Sequence, residues 1–260
     1  DPVLGKILKK IRVGHGACAP TLSPDKNFLA VCNQFSDDVS AIDLNTEKEI
    51  ARIPVRRQPT DATFTPDGKN LFVTSLIPGD RADADTVAAY VSIIQSSSWE
   101  KTKDIQLTNG SNALRDIGVT LDGRYILVAH NIGRFQAPTT QIAQGWMNTS
   151  ALAVIDAQSQ RYITSVILDL PERGSVLPWG LWLDENDIYI NFSGTHEFAR
   201  INQKNFFSAL VANKNKDVLT YNTGFMPPLM EKVSIPGNGP RGIAGYNNKI
   251  CILGYFTDTI

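Results

Sequence analysis

The sequence predicts an all-β fold, a β-propeller of four-stranded antiparallel blades. Two observations carry this: the stretch Thr21 to Val55 reads as short strands parted by tight turns, and versions of it return along the chain. Within that first copy, apolar residues cluster at Phe28 to Val31, Val39 to Ile42 and Ile50 to Val55. Each cluster is bounded by turn formers, which marks strands rather than a helical period. Pro24-Asp25-Lys26-Asn27 makes the first turn, since proline presets φ and Asp and Asn bond their own backbone; Asn45-Thr46-Glu47-Lys48 makes the second.

The turn aspartate recurs as Asp25, Asp67, Asp122 and Asp184, at spacings of 42, 55 and 62, with a weaker echo at Tyr246-Asn247-Asn248. The second half of the unit recurs at 40–49, 91–100, 152–161 and 198–205. A period near forty with about four strands per unit is that of propeller blades, and the longer spacings are loop insertions. With strands A to D named from the centre outward, blades span 17–55, 59–107, 113–168 and 177–235, and 239–260 gives A, B and the start of C of a fifth. Residues 1–14 read as the turn and outer strand of a preceding or closing blade, because Gly5-Lys6-Ile7-Leu8 echoes Glu47-Lys48-Glu49-Ile50. About five blades are therefore represented. Part of a larger ring, for example a seven-bladed one, is favoured over a closed five-bladed ring, because natural proteins cover open strand edges. In the fourth blade, 204–229 interrupts the approach to the outer strand, and Phe206 to Val211 reads as a short helix.

A 260-residue chain that is 42% hydrophobic and 20% charged has ample material for a core. A net charge of −1 gives no electrostatic footprint for nucleic acid, and no apolar run reaches the length of a membrane span. Cys18, Cys32 and Cys251 fall in predicted strands and read as buried, inert thiols; no Cys-x-x-Cys occurs. Nucleotide-cradling loops, Gly-x-Ser-x-Gly elbows and His-Glu-x-x-His are also absent.

Propeller topology puts the B–C and D–A connections on one face, and the sequence loads that face. His15, Asp61, Arg115, Asp116, Trp179 and Arg241 each precede a predicted inner strand, near the mouth of the central channel. The B–C connections include 77–86, the long Asn131 to Ser150 with Arg134, Trp146 and Asn148, and the loop with His196. His15, His130 and His196 invite a metal or haem-ligand reading, against which each can be a satisfied structural histidine. Arg115, Asp116, Arg241 and Asp61 could present charge to an anionic or polar ligand, or could pair ionically from blade to blade. Trp146 is the better surface candidate, Trp182 the better core candidate. Asp80, Asp83 and Asp85 crowd one loop with calcium-friendly oxygens, although Arg81 sits among them and a solvated acidic loop is the default.

LSPDKNFLAVCNQFSDDVSAIDLNTEKEIARIPV resembles the YVTN-type β-propeller repeats of exported bacterial and archaeal surface proteins, strongly in blades one and two and least in blade four. Arg134 to Gln141 and Gly145 to Thr149 resemble a subgroup in which a propeller precedes a c-type haem domain of the di-haem peroxidase kind. The resemblance implies export to the periplasm or cell surface, no cofactor in this chain, and c-type haem in the parent protein. The expected function is a non-catalytic binding or scaffold module holding a partner protein, companion domain or surface ligand. Two alternatives stand beside it: a domain of a haem oxidoreductase, and a metal-dependent hydrolase or lactonase with a channel site.

Overall fold

A computed structural model of the chain describes residues 5–135, 147–247 and 249–260. Four consecutive antiparallel sheets of four strands, each in sequential order, account for most of it. The first holds β1 (Ala17–Leu22), β2 (Phe28–Asn33), β3 (Asp38–Asp43) and β4 (Lys48–Pro54). The second holds β5 (Pro59–Phe64), β6 (Asn70–Ser75), β7 (Tyr90–Gln95) and β8 (Glu100–Gln106). The third holds β9 (Ser111–Val119), β10 (Tyr125–Gly133), β11 (Asn148–Asp156) and β12 (Arg161–Ile167). The fourth holds β13 (Pro178–Leu183), β14 (Asp187–Phe192), β15 (Glu197–Asn202) and β16 (Met230–Ser234), and β17 (Pro240–Tyr246) pairs with β18 (Lys249–Gly254).

The inner strands pack in sequence: β1 on β5, β5 on β9, β9 on β13 and β13 on β17. These are propeller blades, and the apolar core lies between them. Cys32, Val39 and Ile53 of the first sheet meet Phe64, Leu71 and Ile94 of the second. Phe72, Val91 and Ile93 meet Leu114, Ile126 and Ile155 across the next gap. Tyr125, Leu127 and Leu152 then meet Ile188, Ile190 and Phe192.

The repeated turn has one geometry. Ser23, Thr65 and Thr120 donate their hydroxyls at 2.6 Å to Asp25, Asp67 and Asp122, which also accept the backbone N–H of Asn27, Lys69 and Arg124. Those bonds hold the three carboxyls below the usual range. The fourth blade's turn is two residues shorter, so Asp184 itself stands where the hydroxyl residue would be, accepting from Asn186 and Asp187 N–H, and Trp182 takes no part in the turn. Trp182 instead lies against blade five, at Gly245, where a Cβ would come within 2.3 Å of its indole nitrogen.

Between β15 and β16 the chain forms helix α1 (Gln203–Ala212) and two 3₁₀ turns, Asp217–Tyr221 and Pro227–Leu229. Asn202 caps α1 by accepting from Asn205 N–H, and Phe206 and Leu210, one turn apart, are buried in the core of blades three and four. Phe207 stacks on Tyr125 of blade three, centroids 4.3 Å apart.

Three expectations need correction. Residues 5–14, read as an outer strand, form none, and their tie to blade one is an ion pair of Lys9 with Glu47. The connection Asn131 to Ser150, read as loop, begins and ends as strand: Asn131 to Gly133 pair with Asn148 to Ser150, because Ile132 and Thr149 find buried sites. Of the cysteines only Cys32 is buried; Cys18 is half-buried and Cys251 lies on the exposed side of β18.

Candidate ligand and docking face

One backbone conformation repeats at the start of every blade. Gly16, Gln58, Gly110, Leu177 and Gly239, each just before an inner strand, all have positive φ. Their carbonyls accept from Gln34, Leu76, Gly133, Ser193 and Tyr255 N–H, which begin the B–C connections. This bond places the D–A and B–C segments of each blade on the same face. At Gly110 a Cβ would stand 2.2 Å from the Gly133 carbonyl oxygen, so only glycine fits.

Inside each inner strand the pairing slips at one place: between Cys18 and Thr21, Pro59 and Asp61, Asn112 and Asp116, Pro178 and Leu181, and Pro240 and Ile243. Register aligns Cys18, Thr60, Arg115, Trp179 and Arg241 as one set, and Ala19, Asp61, Asp116, Gly180 and Gly242 as the next. Asp61, Arg115, Asp116, Trp179 and Arg241 therefore sit within strands, not in the connections before them, because each strand continues past its irregularity. Only His15 lies in a connection, exposed, with its N–H donated to Ser36 Oγ.

The aspartates join blades through backbone. Asp61 accepts Ala62 N–H of its own blade at 2.8 Å and Ile117 N–H of the next at 3.1 Å. Asp116 does the same one blade on, accepting Ile117 N–H and Leu181 N–H, each at 2.8 Å. The carboxyls also touch each other; burial first, then the charge of Asp61, pushes Asp116 far above the ordinary carboxylate range, and burial pushes Asp61 up. Asp116 thus carries the proton and donates it to Asp61. At Gly180 the relay changes: Asn191 accepts Gly180 N–H at 2.7 Å and donates to Arg241 O at 3.1 Å.

The arginines do not pair with these aspartates. Arg115 Cζ lies 4.2 Å from the Trp179 ring centroid and Arg241 Cζ 4.3 Å from the same ring. Arg241 also lies 3.6 Å from the Tyr255 ring and 5.5 Å from that of Phe256. Cation–π stacking across three blades is the result.

The three histidines stay apart. His130, inside β10 and buried, donates Nδ1–H to Asn131 O (3.0 Å) and accepts the Ser165 hydroxyl at Nε2 (2.9 Å); burial pulls its pKa down to about 4. His196 Nδ1 accepts Gly239 N–H at 2.9 Å, as Asp37 in blade one accepts Gln58 N–H at 2.7 Å. Both have positive φ and serve the residue that opens the next inner strand. His196→Ala is expected to cost about 1 kcal/mol and His196→Asn less, measured by urea unfolding. No three His, Cys, Asp or Glu among the described residues are placed to hold a metal ion.

A second buried cluster lies between blades three and four. Asp169 accepts Ser175 and Ser150 N–H, yet burial pushes its pKa up to about 6. Glu197 pairs with Arg173 at 2.9 Å and with Lys232 at 3.6 Å. Asp169, raised in the fold, contributes stability present below about pH 4 and lost as pH rises through about 6, about 3 kcal/mol in all. His130, depressed from 6.5 to about 4, works oppositely, with stability lost as pH falls through that window. The two slopes offset each other between pH 4 and 6. Asp169→Asn is expected to expose the histidine's slope, about 1.4 kcal/mol lost per pH unit on acidification relative to wild type, in urea melts from pH 7 to 4.

Arg134 donates to Thr220 O and lies 4.5 Å over Tyr221, tying the β10–β11 hairpin to the insertion; Asn148 is exposed at the start of β11. Trp146 falls outside the described residues. In the loop at 78–86, Asp83 pairs with Arg81 and Asp80 accepts from Tyr90 Oη, so two of the three acidic residues are occupied, and Asp85 is exposed. Sequence reasoning passed over Tyr255 and Phe256; the available signal was Phe35, which equals Phe256 by register, each N–H bonding the carbonyl two residues before its inner strand. Phe35 is 72% and Phe256 64% exposed, with Phe135, Tyr255 and Val176 also exposed on this face. On the other face, a groove of about 680 Å³ between blades one and two is lined by Asp25, Asp43, Asp67, Ile50 and Trp99.

Comparison with known proteins gives two kinds of likeness. No family model matches the chain. The chain is similar to hydrazine synthase subunit beta of Kuenenia stuttgartiensis, 24% identical over 212 residues that cover 78% of this chain and 52% of that protein. It thus spans about half the length of that curated relative. Among solved structures, Kuenenia stuttgartiensis hydrazine synthase superposes with a TM-score of 0.62 at 20% identity, covering 98% of this chain and 85% of the other. A functionally unknown protein from Desulfotomaculum acetoxidans also gives 0.62, at 14% identity, covering 95% and 66%. At such identities the structural likeness speaks for the fold alone, which is the propeller that the repeat predicted.

Proposed function

We propose that this chain is a non-catalytic propeller module that docks a partner protein through its B–C/D–A face. One observation carries the reading: large apolar side chains, Phe35, Phe135, Tyr255 and Phe256, stand exposed on that face in several blades. Isolated exposed apolar residues are ordinary, but a set gathered on one face marks an interaction surface. The buried titratable groups nearby, Asp61, Asp116 and His130, are engaged in tying strands together. A relative named as a synthase subunit supports a place within a larger assembly. The test is co-purification of the tagged parent protein with its partner, comparing wild type with a Phe35→Ser, Phe256→Ser double variant. Retained folding with lost partner supports the reading; an undiminished partner sinks it.

The relative's being part of an enzyme favours one further reading, a parent that is a c-type haem oxidoreductase. A Soret band in the purified parent is its signature, and a colourless parent removes it. Export to the periplasm or cell surface belongs to the same proposal and is read by cell fractionation.

A further inference from the structure

We propose that Arg115, Trp179 and Arg241 form a carboxylate-binding site on the inner strands of blades three, four and five. This deepens the docking reading without depending on it, because the site can be filled by a small carboxylate with no partner present. The two guanidiniums come from blades on either side of Trp179 and rest on its ring at 4.2 and 4.3 Å. Among the described residues neither has an ion pair or a hydrogen bond, and the Nε of each is buried without an acceptor. Every other buried polar group in the inner strands around them is matched: Asp61 and Asp116 take backbone amides, and Asn191 bridges two blades. Asp61 and Asp116 do not pair with the arginines, their carboxyls being turned to backbone amides and to each other. Two positive charges close enough for Arg241 to disfavour the charge on Arg115 are therefore left uncompensated.

Stacking fixes each guanidinium plane and offsets part of the repulsion, but a ring face cannot accept the N–H donors at the edges. Those donors need in-plane oxygens. A carboxylate supplies two, in the plane and at the spacing of the guanidinium fork, and its charge relieves the Arg115–Arg241 repulsion. The weak hydration of guanidinium keeps the cost of enclosing such a pair low. Tyr255, over the far side of Arg241, extends the apolar wall that a carboxylate-bearing ligand would lie against.

The experiment is a titration of the purified 260-residue protein with citrate and acetate, at constant ionic strength set with chloride, followed by tryptophan fluorescence and thermal shift. A saturable response is expected in wild type, with the apparent Kd raised about ten- to hundredfold in Arg115→Gln and in Arg241→Gln. Trp179→Phe should lose the optical signal and keep the thermal shift. No saturable response in wild type, an unchanged Kd in the double arginine variant, or tighter binding of inorganic phosphate than of citrate overturns the proposal. Should the variants fail to fold, protection of Arg115 and Arg241 from phenylglyoxal by citrate, read by peptide mass spectrometry, decides the matter on wild-type protein, and unslowed modification overturns it. The source is settled by a short neutral peptide in free-acid and amidated forms. A free acid bound at least about tenfold tighter than acetate, with no binding of the amide, identifies a polypeptide carboxylate; equal affinities identify a small molecule.

Discussion

Asp116→Ala is expected to lower the unfolding free energy by about 2–4 kcal/mol, whereas Asp116→Asn is expected to be near neutral at pH 7. Alanine strands Leu181 N–H, now 2.8 Å from Asp116 Oδ2, and leaves Asp61 without the proton it accepts. A buried donor without a partner costs about 1–3 kcal/mol, and a second group is affected here. Asparagine restores both halves, an oxygen for Leu181 and an N–H for Asp61. The two outcomes also diverge with pH. Asp116 binds its proton more tightly folded than unfolded, so its contribution is complete below about pH 4 and is lost as pH rises toward its folded value. Asparagine does not titrate, so the Asn variant should gain on wild type as pH rises. Urea melts at pH 5, 7 and 9 read both effects; equal stability of the Ala and Asn variants would show that the relay contributes nothing.

Phe206→Ala is expected to cost about 3–5 kcal/mol, the range for emptying a fully buried aromatic site. Phe206 lies with Leu210, Leu219 and Met226 in the core shared by blades three and four. The insertion is thus part of that core, and not decoration on it. Phe207→Ala removes the Tyr125 stack from a half-buried site and should cost roughly 1–2 kcal/mol by the same melts. A loss at Phe206 no larger than that at Phe207 would mean that α1 peels away without disturbing the blades.

Much of this fold was legible because the repeat writes local chemistry. Ser23-Pro24-Asp25 and its echoes specify a hydroxyl, a turn and an acceptor within three residues, so spacing alone locates the hairpin. Phe206 to Val211 could be read as helix from its composition, since Asn202 and the apolar pair four apart are local too. The site was legible only as a set of residues. That Arg115, Trp179 and Arg241 stack, and that Asp61 and Asp116 turn away from them to backbone amides, depends on a register slip inside each inner strand and on neighbours 50 to 65 residues distant. Adjacent letters such as Arg115-Asp116 suggest an ion pair, yet alternate residues of a strand face opposite ways. Tyr255 and Phe256 were missed although Phe35-Ser36-Asp37 is echoed by Phe256-Thr257-Asp258, because their exposure on one face emerges only from the hydrogen bonds to the Gly239 and Gly16 segments.

The aspartate relay also bears on how such a ring can be rebuilt. Blade three carries the coupling on both sides: its Ile117 amide receives Asp61 of blade two, and its Asp116 reaches the Leu181 amide of blade four. That blade is a self-compatible module, and a duplicate of it inserted after residue 168 would find its socket already cut. Blade four is an adaptor, taking the aspartate's plug on one side and offering only Gly180 and the Asn191 amide on the other. Duplication of a unit is therefore open at the joints on either side of blade three and closed beyond β13, unless Asn191 travels with the joint.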